Sequence, residues 1–219
     1  MTHNSINTLC GLEEGSRVFI LGNGPSLSSF DLSRINKNDI IIGMNSSTIL
    51  EKKYNIKSNY YVVSDVRFIT NSNKRDCATA MLDQNTIRVF REEIKAYDDK
   101  EYFNRTYYIR AIGRDGFSGN LEYGYYFGCS TTMLAIQLAY YLGCKDIFLL
   151  GVDLNYMSGS MRFYKEKAIE FPDPFISVQI FNLRKAFNFL SEKNIGLFNC
   201  SDGSFVRPYI PYKDYDSIF

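Results

Sequence analysis

Short apolar runs recur along the chain, and each stops abruptly at polar or glycine-rich residues. VFIL at 18–21 ends in Gly22-Asn23-Gly24-Pro25-Ser26. DIIIG at 39–43 leads into Met44-Asn45-Ser46-Ser47, YYVVS at 60–64 into Asp65, and DIFLL at 146–150 into Gly151-Val152-Asp153. Weaker runs occupy 86–90 and 106–109, and a last one 195–199. A strand with one wet face alternates apolar and polar positions. These runs do not, which predicts strands covered on both faces, as in a parallel sheet.

Two segments between the runs have helical character. Residues 130–142, STTMLAIQLAYYL, are apolar almost all the way round and predict a buried helix. Ser130 or Thr131 can cap its start, and Gly143 stops it. Near 177–193, Ile176, Ile180, Leu183, Phe187 and Leu190 form an amphipathic stripe, with Pro172 and Pro174 marking its start. The alternation predicts an α/β, Rossmann-like fold: one mostly parallel sheet flanked by helices, in a single domain over 1–219. The least regular stretch, about 95–126, holds Gly113, Gly116, Gly119, Gly124 and many aromatics, and reads as a long functional loop or lid.

Open α/β sheets bind ligands beyond the carboxyl ends of their strands, so the polar stops converge on one rim if the sheet is parallel. Each stop has two readings. Gly22 and Gly24 let backbone approach a ligand and offer amides to an anion. Pro25 and Ser26 suit the first turn of a helix whose N-terminus favours phosphate; the same residues also make a plain strand-to-helix turn. The loop matches neither GxxxxGK[ST] nor GxGxxG. Asn45 can bond a sugar or base, or serve a turn. Ser130 and Thr131 offer an anion site or simple capping. Asp153 and Asp65 can meet ribose hydroxyls or act as a base, or else cap helices and pair with rim charges. Asp214-Tyr215-Asp216 has the spacing of a metal-bound sugar-nucleotide site, and its place near the chain end fits a chance occurrence.

Composition narrows the chemistry. Of 219 residues, 45% are apolar and 22% charged, and the net charge of +1 supplies no field for nucleic acid. No run is long enough to span a membrane, and the polar first residues lack a secretory core, so a cytoplasmic protein is expected. The five cysteines, Cys10, Cys77, Cys129, Cys144 and Cys200, form no C-x-x-C pair, which fits a reducing compartment and no zinc site. His3 is the sole histidine, so Ser-His-Asp and Cys-His schemes lack a base. Asp65 and Asp153 are then the expected bases, with Arg67, Arg110 and Arg114 as candidates to meet a leaving phosphate.

GNGPSL resembles the nucleotide loop of the family 42 bacterial sialyltransferases, and GMNSS resembles their second-strand asparagine segment. STTMLAIQLAYYLGCKDIFLLGVD is similar to their helix-strand-G-I-D block. That resemblance implies a GT-A-like, metal-independent transferase in which Asn23, Asn45, Ser130, Thr131 and Asp153 touch CMP-sialic acid. IQLAYYLGCKDIFLLGVDLNY and the terminal NCSDGSFVRPYIPYKDYDSIF look like a wider group. It holds relatives of archaeal 6-hydroxymethyl-7,8-dihydropterin pyrophosphokinase and flagellin-glycosylation accessory factors. Gly151 and Tyr156, inside the matched block, join the expected substrate-binding set. The sialyltransferase histidine base has no counterpart here, and neither does the arginine before the helix-start serine. The wider group's histidine is replaced by Leu154.

The first expectation is therefore a glycosyltransferase acting on a nucleotide sugar, for which the resemblance implies a CMP-linked acidic one, and on a surface-glycan acceptor, with no cofactor. The alternatives are an ATP- and Mg²⁺-dependent pyrophosphokinase acting on a pterin-like alcohol, and a relative that binds nucleotide without catalysis. A homo-oligomer is left open.

Overall fold

The computed structural model describes residues 5–97, 105–155, 162–165 and 173–219. The apolar runs become strands within a residue of expectation: β1 (Arg17–Leu21), β2 (Ile40–Met44), β3 (Tyr60–Val63), β4 (Ile87–Arg91) and β5 (Thr106–Ile109). After a small ladder of β6 (Ala111–Gly113) with β7 (Tyr125–Tyr126) come β8 (Asp146–Leu150) and β9 (Gly196–Asn199). The main sheet has 7 strands in the order β5-β4-β3-β2-β1-β8-β9, every pair parallel. The chain builds outward from β1 to β5, then returns to lay β8 on the other side of β1. The order thus reverses between β1 and β8, where an open sheet splits its loops and leaves a crevice.

Both faces of the sheet are covered, which is why its strands carry no polar alternation. On one face Val18, Ile20, Ile42, Val62, Ile147 and Leu149 meet α4 (Thr131–Tyr141) and α5 (Ile176–Ser191). Every residue of α4 except Tyr140 is buried, as its apolar circumference predicts. On the other face Phe19, Leu21, Ile41 and Phe148 pack under Leu27, Phe30, Leu32 and Tyr215 from short 3₁₀ turns. Farther along, Tyr61, Val63 and Phe90 pack against Phe68 of α2 (Val66–Thr70) and Cys77 of α3 (Ser72–Ala78). The apolar pattern did not reveal α2, α3 or α1 (Thr48–Tyr54), each too short to show a stripe.

The buried side of α5 is not the predicted stripe alone. Gln179 and Asn182 share it with Leu183, Ala186 and Leu190. Asn182 and Gln137 of α4, both fully buried, hold the irregular segment ahead of α4. Gln137 Oε1 accepts from the Ser118 and Tyr126 amides at 2.9 and 3.0 Å, and its Nε2 donates to the Tyr126 and Met133 carbonyls. Asn182 Oδ1 accepts from the Gly116 amide at 3.0 Å. The described part of the expected lid is thus anchored to both helices.

The Asp214–Asp216 triplet is also structural. Asp214 caps a terminal 3₁₀ turn, and Asp216 pairs with Arg34. The chain then ends with Phe219 stacked on Phe19 under the Arg17 and Arg34 guanidiniums. Arg17 opens β1, so this corner lies at the sheet edge opposite the ligand rim.

Glu51 of α1 is buried and carries the Ser58 amide (2.9 Å), the Ser58 hydroxyl (2.8 Å) and the Ser47 hydroxyl (3.3 Å). Burial pushes its carboxyl above the ordinary value of 4.5, only partly opposed by the Ser58 and Ser47 contacts. The folded chain therefore holds this proton more tightly than the unfolded chain. The resulting stabilisation is complete below pH 4.5 and fades as pH rises through the folded value. Urea unfolding across pH 4.5–8 should show the midpoint of Glu51→Gln falling less on the alkaline side than that of the wild type.

Candidate functional site

The glycines after β1 serve loop-to-loop packing. The Gly22 amide donates to Leu150 O at 2.7 Å and the Gly24 amide to Gly151 O at 2.8 Å, carrying the β1–β8 pairing past the ends of both strands. A Cβ on Gly22 would sit 2.3 Å from Gly151 O, and one on Gly24 would sit 2.4 Å from Asp153 Oδ2. Pro25 then opens a 3₁₀ turn, Pro25–Ser29, capped at Gly24.

Asp153 knots this crossing together. It is 8% exposed, and its carboxylate accepts from the Ser26 amide at 2.8 Å and the Ser26 hydroxyl at 2.5 Å. Ser201, beyond β9, lies 2.7 Å from Ser26 Oγ and accepts from the Gly151 amide at 3.1 Å. A hydroxyl has one proton to give. Ser26 gives its proton to Asp153, so Ser201 must donate to Ser26. Loops from β1, β8 and β9 are thereby locked into one hydrogen-bonded unit.

This geometry bears on two of the expected roles. The amides of Gly22, Gly24 and Ser26 are spent within the protein, so an anion at this loop would meet the Asn23 amide, which has no partner among the described residues. Asp153 is a buried strut that holds the Ser26 amide and hydroxyl beneath the loop, and it is less accessible to an acceptor than the half-buried carboxylates of the rim. Asp65 is also committed. It caps α2 through the Arg67 amide and pairs with the Arg67 side chain at 2.7 Å. Burial pushes the Asp65 carboxyl up, but its Arg67 contacts outweigh this and hold it below the usual range, which weakens it as a base.

Asn23 and Asn45 behave differently. Asn23 bridges the β1 and β2 loops, donating through Nδ2 to Met44 O at 3.1 Å and accepting from the Ser46 amide at 2.9 Å. Asn45 sits in the left-handed region at φ +51°, its carbonyl taken by the Tyr61 hydroxyl. Its side-chain Oδ1 is buried without a partner among the described residues, a condition that costs about 1–3 kcal/mol in an otherwise satisfied protein. Cys129 (φ +56°) and Leu154 (φ +47°) share this backbone conformation on the same rim, a clustering typical of binding sites.

The start of α4 lies beside Asn45. Ser130 caps it, accepting from the Thr132 amide at 3.2 Å, and Thr132 Oγ1 reaches Met44 Sδ. Thr131 Oγ1 is 2.7 Å from Ser64 Oγ at the end of β3. The first-turn amide of Thr131 has no backbone partner among the described residues, as a helix N-terminus leaves it. Cys129 is half-buried, and burial pushes its thiol up, consistent with packing.

The expected arginines are paired off: Arg67 with Asp65, Arg114 with Asp115, and Arg110 with the Tyr123 carbonyl. Tyr156 lies outside the described residues. No group of three or more His, Cys, Asp or Glu side chains that could hold a metal ion forms among the described residues. A groove of about 650 Å³ lined by Glu14, Tyr140, Lys145 and Lys193 opens at the opposite edge of the sheet and brings none of these residues together.

A family model described as 6-hydroxymethylpterin diphosphokinase MptE-like matches residues 1–159. The chain belongs to this MptE-like family. Its fold is shared with the sialyltransferase CstII from Campylobacter jejuni, solved with cytidine-5'-monophosphate. The two are 18% identical with a TM-score of 0.57, over 91% of this chain and 85% of that one. A MAf glycosyltransferase from Magnetospirillum magneticum AMB-1 gives a TM-score of 0.59 at 17% identity, covering 92% of this chain but 36% of its own. The monofunctional α-2,3-sialyltransferase Cst-I from Campylobacter jejuni gives 0.51 at 16% identity, over 90% and 80% of the two chains. No curated protein sequence matches.

Two substitutions separate strut from base. Gly22→Ala should destabilise the protein by about 1–3 kcal/mol, because its methyl group drives into the Gly151 carbonyl. Asp153→Asn replaces one acceptor oxygen with a donor and should cost a similar ~1–3 kcal/mol. Both losses are read by urea denaturation of the protein without ligand, where a purely catalytic carboxylate would change nothing.

Proposed function

We propose that this chain is a glycosyltransferase that binds a nucleotide-activated sugar on the rim between β1, β2 and α4. The observation that carries this reading is the buried Oδ1 of Asn45, without a partner among the described residues and held in left-handed backbone conformation beside the first turn of α4. A nucleoside phosphate supplies the matching chemistry: a hydroxyl or amine to donate to Asn45 and an anion to meet the Thr131 and Asn23 amides. The fold shared with two sialyltransferases and a MAf glycosyltransferase supports the reading. The finer assignment is a CMP-linked acidic sugar passed to a surface glycan in the cytoplasm, with no metal required. No helix among the described residues is long and apolar enough to cross a membrane.

The MptE-like family match favours a second reading, diphosphate transfer from Mg-ATP to a pterin-like alcohol. A nucleotide-binding relative without catalysis is the third.

Thermal melts with CMP, CTP and ATP, each with and without Mg²⁺, separate them. Under the first reading CMP alone raises stability, by about 2.7 kcal/mol at a hundred times its Kd. Asn45→Gly keeps the left-handed backbone accessible while deleting the acceptor, and should weaken CMP about tenfold. Stabilisation by ATP only when Mg²⁺ is present would instead establish the second reading. CMP binding with no transfer from any nucleotide sugar would establish the third.

A further inference from the structure

We propose that Asp173, at the mouth of α5, is the general base that takes the proton from the acceptor hydroxyl; this rests on the glycosyltransferase reading above. The need for such a group comes from the other carboxylates. Around the rim, Asp65 is bound to Arg67, Glu93 to Arg91, Asp115 to Arg114 and Asn182, and Asp153 to Ser26. Glu51 lies buried behind Ser47 and Ser58. Asp173 has no cation at ion-pair distance among the described residues.

Topology places Asp173 at the site. Helices α4 and α5 each run into a parallel strand, β8 and β9, which are neighbours in the sheet, so both helices start on the carboxyl rim. The loop entering α4 packs on the second turn of α5: a Cβ on Gly128, two residues ahead of the α4 cap, would sit 3.1 Å from Asn182 Cβ. Gln179 lies one turn earlier on the same buried side of α5 and donates through Nε2 to Asp173 Oδ2 at 2.7 Å. Asp173 Oδ1 accepts the Phe175 amide at 2.8 Å. The carboxylate is thus oriented by a buried amide, and each oxygen keeps a free lone pair. The charged and titratable groups facing it are Arg67 from α2, Cys129 ahead of α4, and Arg114 with Asp115 beside Cys129; its charge is felt at Arg67 and Cys129.

The step balances. The acceptor oxygen bonds to the anomeric carbon while its proton passes to Asp173. The bond from that carbon to the phosphate oxygen breaks, and the departing nucleotide keeps the electron pair. Asp173 then returns its proton to water.

The test compares wild type, Asp173→Asn, Asp173→Glu and Gln179→Leu for sugar transfer and for CMP affinity. Asp173→Asn should lower kcat by about 10²–10⁴-fold with the CMP Kd unchanged. It should also lose the acid-side fall in the pH–rate profile, while Asp173→Glu recovers part of the rate. Gln179→Leu should lower kcat without weakening CMP. Transfer by Asp173→Asn within a few-fold of wild type overturns the assignment while leaving the transferase reading intact. If the wild type binds CMP yet transfers from no nucleotide sugar, the transferase reading itself fails, and the base with it.

Discussion

The hydrogen-bonded knot of Asp153, Ser26 and Ser201 is the constraint on which the site depends. A parallel sheet whose order reverses between β1 and β8 must send its loops in opposite directions at that point. Left alone, the two loops would part and expose backbone. Glycines at 22 and 24 let the loops close to hydrogen-bond distance, and the carboxylate pins them. The polar groups left open on the rim are therefore displaced from the β1–β8 junction itself toward β2, β3 and the start of α4.

That displacement explains the division of labour around the rim. Donors and acceptors at the junction satisfy one another. Among the described residues, the rim groups left without a partner include Asn45 Oδ1, one strand over beside the opening turn of α4. A buried acceptor without a donor, on a backbone held in left-handed conformation, is costly to maintain, and a ligand that supplies the donor recovers that cost. The paired arginines keep the mouth electrically balanced, so the nucleotide binding proposed above rests on oriented dipoles more than on net charge.

Buried amides do comparable organising elsewhere. Gln137 and Asn182 carry no charge, yet each satisfies several backbone or side-chain groups of the glycine-rich segment ahead of α4. With Gln179 orienting Asp173, they make the α4–α5 face a polar seam within an otherwise apolar layer. A stripe drawn through Ile176, Ile180, Leu183, Phe187 and Leu190 misses that seam, because hydropathy counts a buried amide as surface.

The sequence by itself determined the strands of the main sheet, the two long helices and the rim to which the polar stops converge. These follow from apolar run length, periodicity and glycine or proline breaks, all local properties. Asn45 and the Ser130–Thr131 turn were legible as candidates by the same rule. Only the tertiary structure decided what each polar residue does. Ser26 and Asp153 are 127 positions apart and Ser26 and Ser201 are 175 apart, so no local pattern could show that they satisfy one another. A hydrogen bond is settled by which groups folding brings within about 3 Å, and that proximity is a property of the sheet order.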